Sequence, residues 1–545
     1  MPGGGRFPIR PNRFSLEAPT HITHGEGSVP TRRSSPSRRG LIATLAVVEA
    51  PLSDGGASLR SHEGDTRVGG CVVGPTRQNG LASAEMRRGT SMVFYERLSP
   101  QDVSFLYAES PTAQMHVGAL TLLEAPEFSY EDLCDMIDAK LAVAPRLRRK
   151  LMWVPYGQGR PVWVDDAHFD IRYHVRHSGL PHPGGRRELL AHFGRVMSIA
   201  LDRQRPLWEV WLVDQPGGDK AIIYKVHHAM VDGISGVDLA LVLFDLTPDA
   251  GPPETAPFEA GPAPTKQRLL VDSVVERLTQ PAEMVRSVRA AARAPRDAVA
   301  ETRRRLGGLL RLGGSMQAAQ ENSLWRDIGG HRRFETVSLP LAEVKAIKSH
   351  HGVTVNDVVL AMVSGGLRHY MVERGDVVDD VGMNVMVPVS VRSEQDRGTY
   401  GNQVSMMLVT LPVGEPDPEA ALASIHTQTE TLKESHQAEG ADSLMRSFDY
   451  LPMFFLNLAA RGAAAQRFIN LVVTNVPGPQ FPLYCLGARM REAYPYVGLL
   501  GKISVAVAVL SYDGQLNFGL SGDWDTTADL AVFAEGIEKA LGNLR

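Results

Sequence analysis

At 545 residues, a net charge of −4, 43% hydrophobic and 22% charged, the chain is globular in make-up and too long for one ordinary core, so two folded units with connecting segments are expected. The slight acidity argues against nucleic acid binding by the chain as a whole. Cys71, Cys134 and Cys485 lie far apart, without metal-ligand spacing or a disulfide framework, which fits a reducing compartment. No stretch reaches the ~18 apolar residues of a membrane span, so membrane contact is expected to be peripheral.

Residues 1–91 are rich in Gly, Pro, Ser and Arg, contain no Lys, and show no sustained hydrophobic period. Such a segment cannot bury enough surface to offset its ordering entropy, and disorder or a misassigned start is expected, with Met92 opening a sequence of different character. The run Leu41–Val48 after Ser37-Arg38-Arg39 imitates a twin-arginine export signal in outline, but it is short and is followed at once by Glu49.

From Met92 the pattern becomes globular. Ser99-Pro100 reads as the N-cap and first position of a helix, and Met115–Leu123 as a strand. Ser129–Leu141 reads as an amphipathic helix in which Ser129 and Asp132 have capping-box spacing. Strands are expected near Pro161–Val164, over the apolar end of the segment closing at Val213, and at Ala221–Val226, with a helix near Arg187–Ala200. Gln215-Pro-Gly-Gly218 should join the last two of these strands. Residues 248–268 read as a Pro- and Ala-rich linker, and 269–312 as a basic helical tract. That tract suits either a solvated connection or an amphipathic face on anionic lipid. Further on, strands are expected at Phe334–Leu339, Met383–Val391, Gln403–Leu411, from Leu471, and at Ile503–Tyr512 and Gln515–Leu520, the last two joined by Asp513-Gly514. Helices are expected at Leu341–His350, from Thr354, and at Leu530–Leu541. Strands and helices mix in both halves, so the fold class is α/β or α+β with mixed sheets.

The chemistry centres on Lys225-Val-His-His-Ala-Met-Val-Asp-Gly233, where an apolar run ends in two histidines, with an aspartate four residues after the second. This reads as strand, active turn, helix. An imidazole takes a proton near neutral pH and is the usual base for activating a hydroxyl. At a strand end adjacent side chains point to opposite faces, so one of His227 and His228 should face the site while the other packs behind it. Asp232 can orient the turn through an ion pair, and Gly233 permits close backbone approach. The pattern suits acyl transfer from a thioester to a bound alcohol. A metal site would need a third ligand that is not legible, and the Gly-x-Ser-x-Gly elbow of a serine hydrolase is absent. His350-His351 has no Asp-Gly after it and is assigned no role.

His227-His-Ala-Met-Val-Asp-Gly233 matches the HHxxxDG motif of the CoA-dependent acyltransferase superfamily, which includes chloramphenicol acetyltransferase and peptide-synthetase condensation domains. More narrowly, the chain resembles the bacterial wax ester synthase/acyl-CoA:diacylglycerol acyltransferase family, in particular its actinobacterial triacylglycerol synthases. The carrying stretches are Leu98-Ser-Pro100, Met115-His-Val-Gly118, Pro145-Arg-Leu-Arg148, Pro206-Leu-Trp208, Val355-Asn-Asp357, Pro388–Arg392, Gly401-Asn402 and Asn475–Pro479. The likeness runs from about Met92 to the C-terminus.

The resemblance implies two chloramphenicol-acetyltransferase-like subdomains, at 92–250 and 332–545, with residues 251–331 as linker and basic crossover and an active-site tunnel between the two. It implies that His228 is the general base, acting on diacylglycerol or a fatty alcohol with long-chain acyl-CoA as donor, and that Asp232 is structural. By analogy with condensation domains, Arg148 would be the partner of Asp232. Asn356 either lines the site beside Asp357 or belongs to an ordinary helix cap with Thr354. His116 stands near the acceptor or simply packs its strand. No metal or redox cofactor is implied, acyl-CoA being a substrate. The implied location is cytoplasmic, at the inner membrane face or on lipid droplets. Two rival readings are an acyltransferase fed by a carrier protein and a non-catalytic lipid-droplet scaffold.

Overall fold

Several helices of this chain begin where short polar side chains satisfy the free N–H groups of a first turn. In the computed structural model, which describes residues 95–124, 126–231, 242–251, 258–276, 322–390, 404–434 and 468–545, α1 (Pro100–Ala108) and α2 (Tyr130–Lys140) each open on a reciprocal capping box, Ser99 with Asp102 and Ser129 with Asp132. Short strand β1 (Tyr95–Arg97) precedes α1, and β2 (His116–Glu124) separates the two helices. After α2 come β3 (Arg149–Met152), β4 (Val162–Asp165), α3 (Ile171–His174), β5 (Val175–Gly179), α4 (Arg186–Ser198), β6 (Trp208–Asp214), β7 (Lys220–His227) and the single helical turn α5 (His228–Val231).

The second half runs β8 (Arg332–Pro340), α6 (Leu341–His351), α7 (Val355–Glu373), β9 (Gly382–Ser390), β10 (Val404–Pro412), α8 (Pro418–Glu434), β11 (Leu471–Pro477), β12 (Tyr484–Cys485), β13 (Ala488–Tyr496), β14 (Val505–Tyr512), β15 (Gln515–Asp523) and α9 (Leu530–Asn543). Helix α6 stops at Gly352 in the left-handed conformation, and Thr354 with Asp357 caps α7. The turn Asp513-Gly514 takes positive φ at both residues, as a two-residue hairpin between right-twisted strands requires.

Two six-stranded mixed sheets organise the molecule, in the orders β12-β13-β2-β7-β6-β5 and β10-β9-β11-β14-β15-β8, beside a small sheet β1-β4-β3. In the first sheet β5 and β6 run parallel, and in the second β11 runs parallel to both β9 and β14. Sheet membership cuts across the order of the chain, because β12 and β13, from the C-terminal part, extend the first sheet by pairing β13 with β2. The sheets come close together where β15 passes β13. A Cβ on Gly519 would stand 1.8 Å from the Pro495 carbonyl oxygen, so only glycine fits there.

Burial follows the same division. One large apolar core lies between the second sheet and helices α6, α7 and α9. Another gathers α1, α2 and the β2-β7-β6 face. A smaller cluster joins the halves, bringing Ala113, Met115 and partly buried Phe105 together with Val472, Leu499, Ile503 and Ala506. Among the described residues no helix is long and apolar enough to cross a membrane.

Candidate active site

Strand β7 ends at His227 and the chain turns into helix at His228, so the two histidines sit on the junction itself. The backbone there is pinned from both sides, the His227 N–H donating to the Leu207 carbonyl at 3.0 Å and the His228 N–H to the Met115 carbonyl at 2.8 Å. The side chains part as strand alternation dictates. His227 is fully buried while His228 keeps a partly open face.

Helix α1 carries a seat for each ring. Phe105 stacks on His228 with centroids 4.4 Å apart and planes inclined by 17°. One turn on, at the C-cap of the same helix, the buried Glu109 carboxylate stands 3.7 Å from His227 Nε2. Residues four apart share a helix face, which is why one helix serves both rings. Arg203 closes the arrangement from behind, donating from Nε to Glu109 at 2.9 Å and from Nη2 to the Leu106 carbonyl at 2.8 Å. His227 Nδ1 accepts the Ala229 N–H at 3.0 Å, so in the neutral ring the proton resides on Nε2 and faces Glu109.

Electrostatics separate the roles further. Burial, with His227 adding to it, pushes His228 down to about 4. The ring is therefore neutral at physiological pH and free to accept a proton. Burial alone would raise Glu109, but His227 and Arg203 outweigh it and hold the carboxyl at about 2. His228 Nδ1 is buried with no partner among the described residues, which leaves Nε2 as the nitrogen available to a substrate.

Other positions singled out in the sequence fall into place around this junction. His116 pairs directly with His227 across β2 and β7, is buried, and donates from Nε2 to the Met197 carbonyl at 2.8 Å. Burial and the nearby Lys225 ammonium push it down to about 3, which is the profile of a packed strand residue. Trp208 is a core residue whose indole N–H donates to the Leu147 carbonyl at 2.7 Å, so the Pro206-Leu-Trp208 stretch supports the junction and the core together.

Arg148 is buried and reaches Asp138 at 2.7 Å, with its guanidinium lying over Phe258 at 4.7 Å and Phe169 at 5.7 Å. Asp232 and Gly233 lie outside the described residues, as does most of the helix expected after them. In the second half the cap of α7 is made by Thr354 and Asp357, not by Asn356, which sits half-buried at the second helical position. The Asp357 carboxylate is committed to structure. It also accepts from Thr429 at 2.8 Å and meets His426 Nδ1 at 2.9 Å, tying α8 to the start of α7. Among the described residues no group of three or more His, Cys, Asp or Glu side chains is placed to hold a metal ion.

Sequence reading missed Phe105 and Glu109. A signal for the second existed, since a carboxylate at a helix C-terminus opposes the helix dipole and persists only with a partner.

Comparison with known proteins fits this arrangement. Residues 98–359 match the model of the wax ester synthase/diacylglycerol acyltransferase catalytic domain, and residues 400–545 match the C-terminal domain of the same family. A putative diacylglycerol O-acyltransferase of Mycobacterium tuberculosis (strain CDC 1551 / Oshkosh) is 32% identical over 465 residues, covering 82% of this chain and 90% of that protein. The probable diacylglycerol O-acyltransferase tgs1 of M. tuberculosis (strain H37Rv) is 31% identical over 455 residues, covering 82% and 95%. Among solved structures, the wax ester synthase/diacylglycerol acyltransferase of Marinobacter aquaeolei VT8 superposes with a TM-score of 0.58 at 28% identity, over 82% of this chain and 98% of that one. The starter condensation domain of rhizomide synthetase superposes with a TM-score of 0.51 over 83% and 94%, and at 13% identity it shares the fold alone. The chain belongs to the wax ester synthase/diacylglycerol acyltransferase family.

Proposed function

We propose that this acyltransferase moves a long-chain fatty acyl group from acyl-CoA to the hydroxyl of diacylglycerol, and of a fatty alcohol, with His228 as general base. The observation that carries the reading is the division of labour at the junction. His227 is locked behind, while His228 is neutral and stacked on Phe105 with Nε2 available. The acceptor hydroxyl gives its proton to Nε2 as its oxygen attacks the thioester carbonyl. The tetrahedral intermediate then collapses, the C–S bond breaks, and the CoA thiolate takes the proton back from the imidazolium. Because the apolar setting disfavours the charged ring, that return is downhill, and His228 ends the cycle neutral.

In this reading Asp232 braces the turn, Gly233 leaves room for the substrate, Arg148 supports that region, and Asn356 lines the site from the second half. The tunnel would lie between the two halves, and the chemistry uses no metal or redox cofactor. Peripheral contact with a membrane or lipid droplet is part of the proposal. It is supported by the exposed Val271, Val274 and Val275 on the helical segment 266–276, which leads into the arginine-rich tract. Flotation of the protein with anionic liposomes should weaken as salt is raised.

The test of function is a CoA-release assay on the purified full chain with palmitoyl-CoA, offering dioleoylglycerol and hexadecanol in parallel. Ester formation with either alcohol is the expected result. CoA release that ignores both alcohols contradicts it.

A further inference from the structure

The side chains that seat the two histidines, Phe105, Glu109 and Arg203, all belong to the first half of the chain. The backbone that pins His228 does not rest on that half alone. Met115, whose carbonyl takes the His228 N–H at 2.8 Å, gives its own N–H to Glu109 at 3.4 Å. The residues just before it, Thr112–Gln114, reach across to Arg332 at the start of β8. Arg332 Nη2 donates to the Thr112 carbonyl and to Gln114 Oε1, the second at 3.3 Å. Nη1 of the same guanidinium donates within its own half, to the Gly329 and His331 carbonyls at 2.7 and 2.9 Å.

The Arg332 side chain is fully buried, and so is that of Asp523, which lies opposite it in the β8–β15 register with Oδ1 3.8 Å from Nη1. Asp523 is itself fixed, accepting the Gly329 N–H at 2.7 Å and the Thr526 N–H at 3.1 Å. A buried cation persists where an anion and hydrogen bonds replace its water, and Arg332 has both. Its planar fork spends one nitrogen on each half of the chain, a span that the single point charge of an ammonium does not match. Resting on the function proposed above, we infer that Arg332 is a positioning residue for the general base: from the second half it holds the Thr112–Gln114 segment, and so the Met115 carbonyl against which the His228 turn is set. The dependence runs through backbone, so the proton-transfer step is exposed to a charge in the second half that touches neither histidine.

Arg332→Lys keeps the charge beside Asp523 and loses the span. With palmitoyl-CoA and dioleoylglycerol its kcat should fall by roughly tenfold or more, while the KM for palmitoyl-CoA stays within about twofold. Hydrogen exchange followed by mass spectrometry should speed up in peptides covering residues 112–116 and 227–230. Tyr370→Phe is the control for stability alone. It removes a 2.8 Å hydrogen bond to Asp529 inside the second half, and it should change neither kcat nor exchange at 227–230. A folded Arg332→Lys with kcat within about twofold of wild type overturns the inference, as does a loss of kcat with unchanged exchange at 227–230, or an equal loss in Tyr370→Phe. Should Arg332→Lys fail to fold by circular dichroism, Gln114→Leu, which removes one of the two contacts across the halves, is read by the same measurements, with a several-fold fall in kcat expected and none overturning the inference. Wild-type protein that makes no ester defeats the functional proposal, and exchange at 227–230 in the variants then decides by itself whether Arg332 holds the turn.

Discussion

Glu109 faces His227 across 3.7 Å, with Arg203 on the other side of its carboxylate. The acid thus holds His227, and through it the Ala229 N–H in the turn that begins at His228. Glu109→Gln keeps an acceptor but loses the charge that Arg203 and His227 face. Hydrogen bonds to charged groups contribute ~1.5–3 kcal/mol, so kcat should fall by roughly ten- to a hundredfold. The KM for acyl-CoA should change by less than about twofold. Steady-state kinetics check this, and a variant with wild-type kcat removes Glu109 from the account.

The pH profile follows from His228. Its pKa is lowered to about 4, by burial first and His227 second, so the base is present above that value and lost as pH falls through it. kcat/KM, which reports free-enzyme groups, should therefore stay level from about pH 8 down to about 5 and drop only near 4. An acid limb near the ordinary histidine value of ~6.5 would show that His228 sits in a far wetter setting than the one described.

Phe105 supplies one face of the His228 ring. Stacked pairs contribute ~0.5–1.5 kcal/mol beyond their buried area, so Phe105→Ala should lower kcat by up to roughly tenfold while Phe105→Tyr stays close to wild type. Equal losses in both variants would mean that ring stacking has no part in placing the base.

Much of this was legible in the sequence for physical reasons. Ser99, Ser129 and Thr354 announce their helices because capping chemistry is local, and Asp513-Gly514 announces its hairpin because few residues accept positive φ. Strand β13 was not legible, since Arg, Glu and Pro interrupt Ala488–Tyr496. Pro495 is tolerated because β12 covers only the start of β13, and among the described residues no strand pairs with that side of Pro495. Helix α8 was missed as well. It follows a Pro- and Glu-rich stretch, and its anchors to α7 come from Asp357, far away in sequence. At the site the motif histidines were readable, whereas Phe105 and Glu109 act only through the meeting of α1 with β7.

Arg148 offers a test of how the motif turn is braced. Its observed anion, Asp138, is half-exposed, and pairs of that kind contribute ~0–1 kcal/mol. If Arg148 also braces Asp232, Arg148→Ala should lower activity at least roughly tenfold while Asp138→Ala leaves it within about twofold. Equal, small effects of the two changes would confine Arg148 to its Asp138 and Phe258 contacts.

The central claim is that one histidine of the pair carries the proton, and it is tested by ester formation from palmitoyl-CoA and dioleoylglycerol in His228→Ala, with folding verified by circular dichroism. Removing a general base costs about 10²–10⁴-fold in rate, and a loss of that size with the KM for palmitoyl-CoA little changed is the predicted result. Turnover in His228→Ala within a few-fold of wild type would contradict the account.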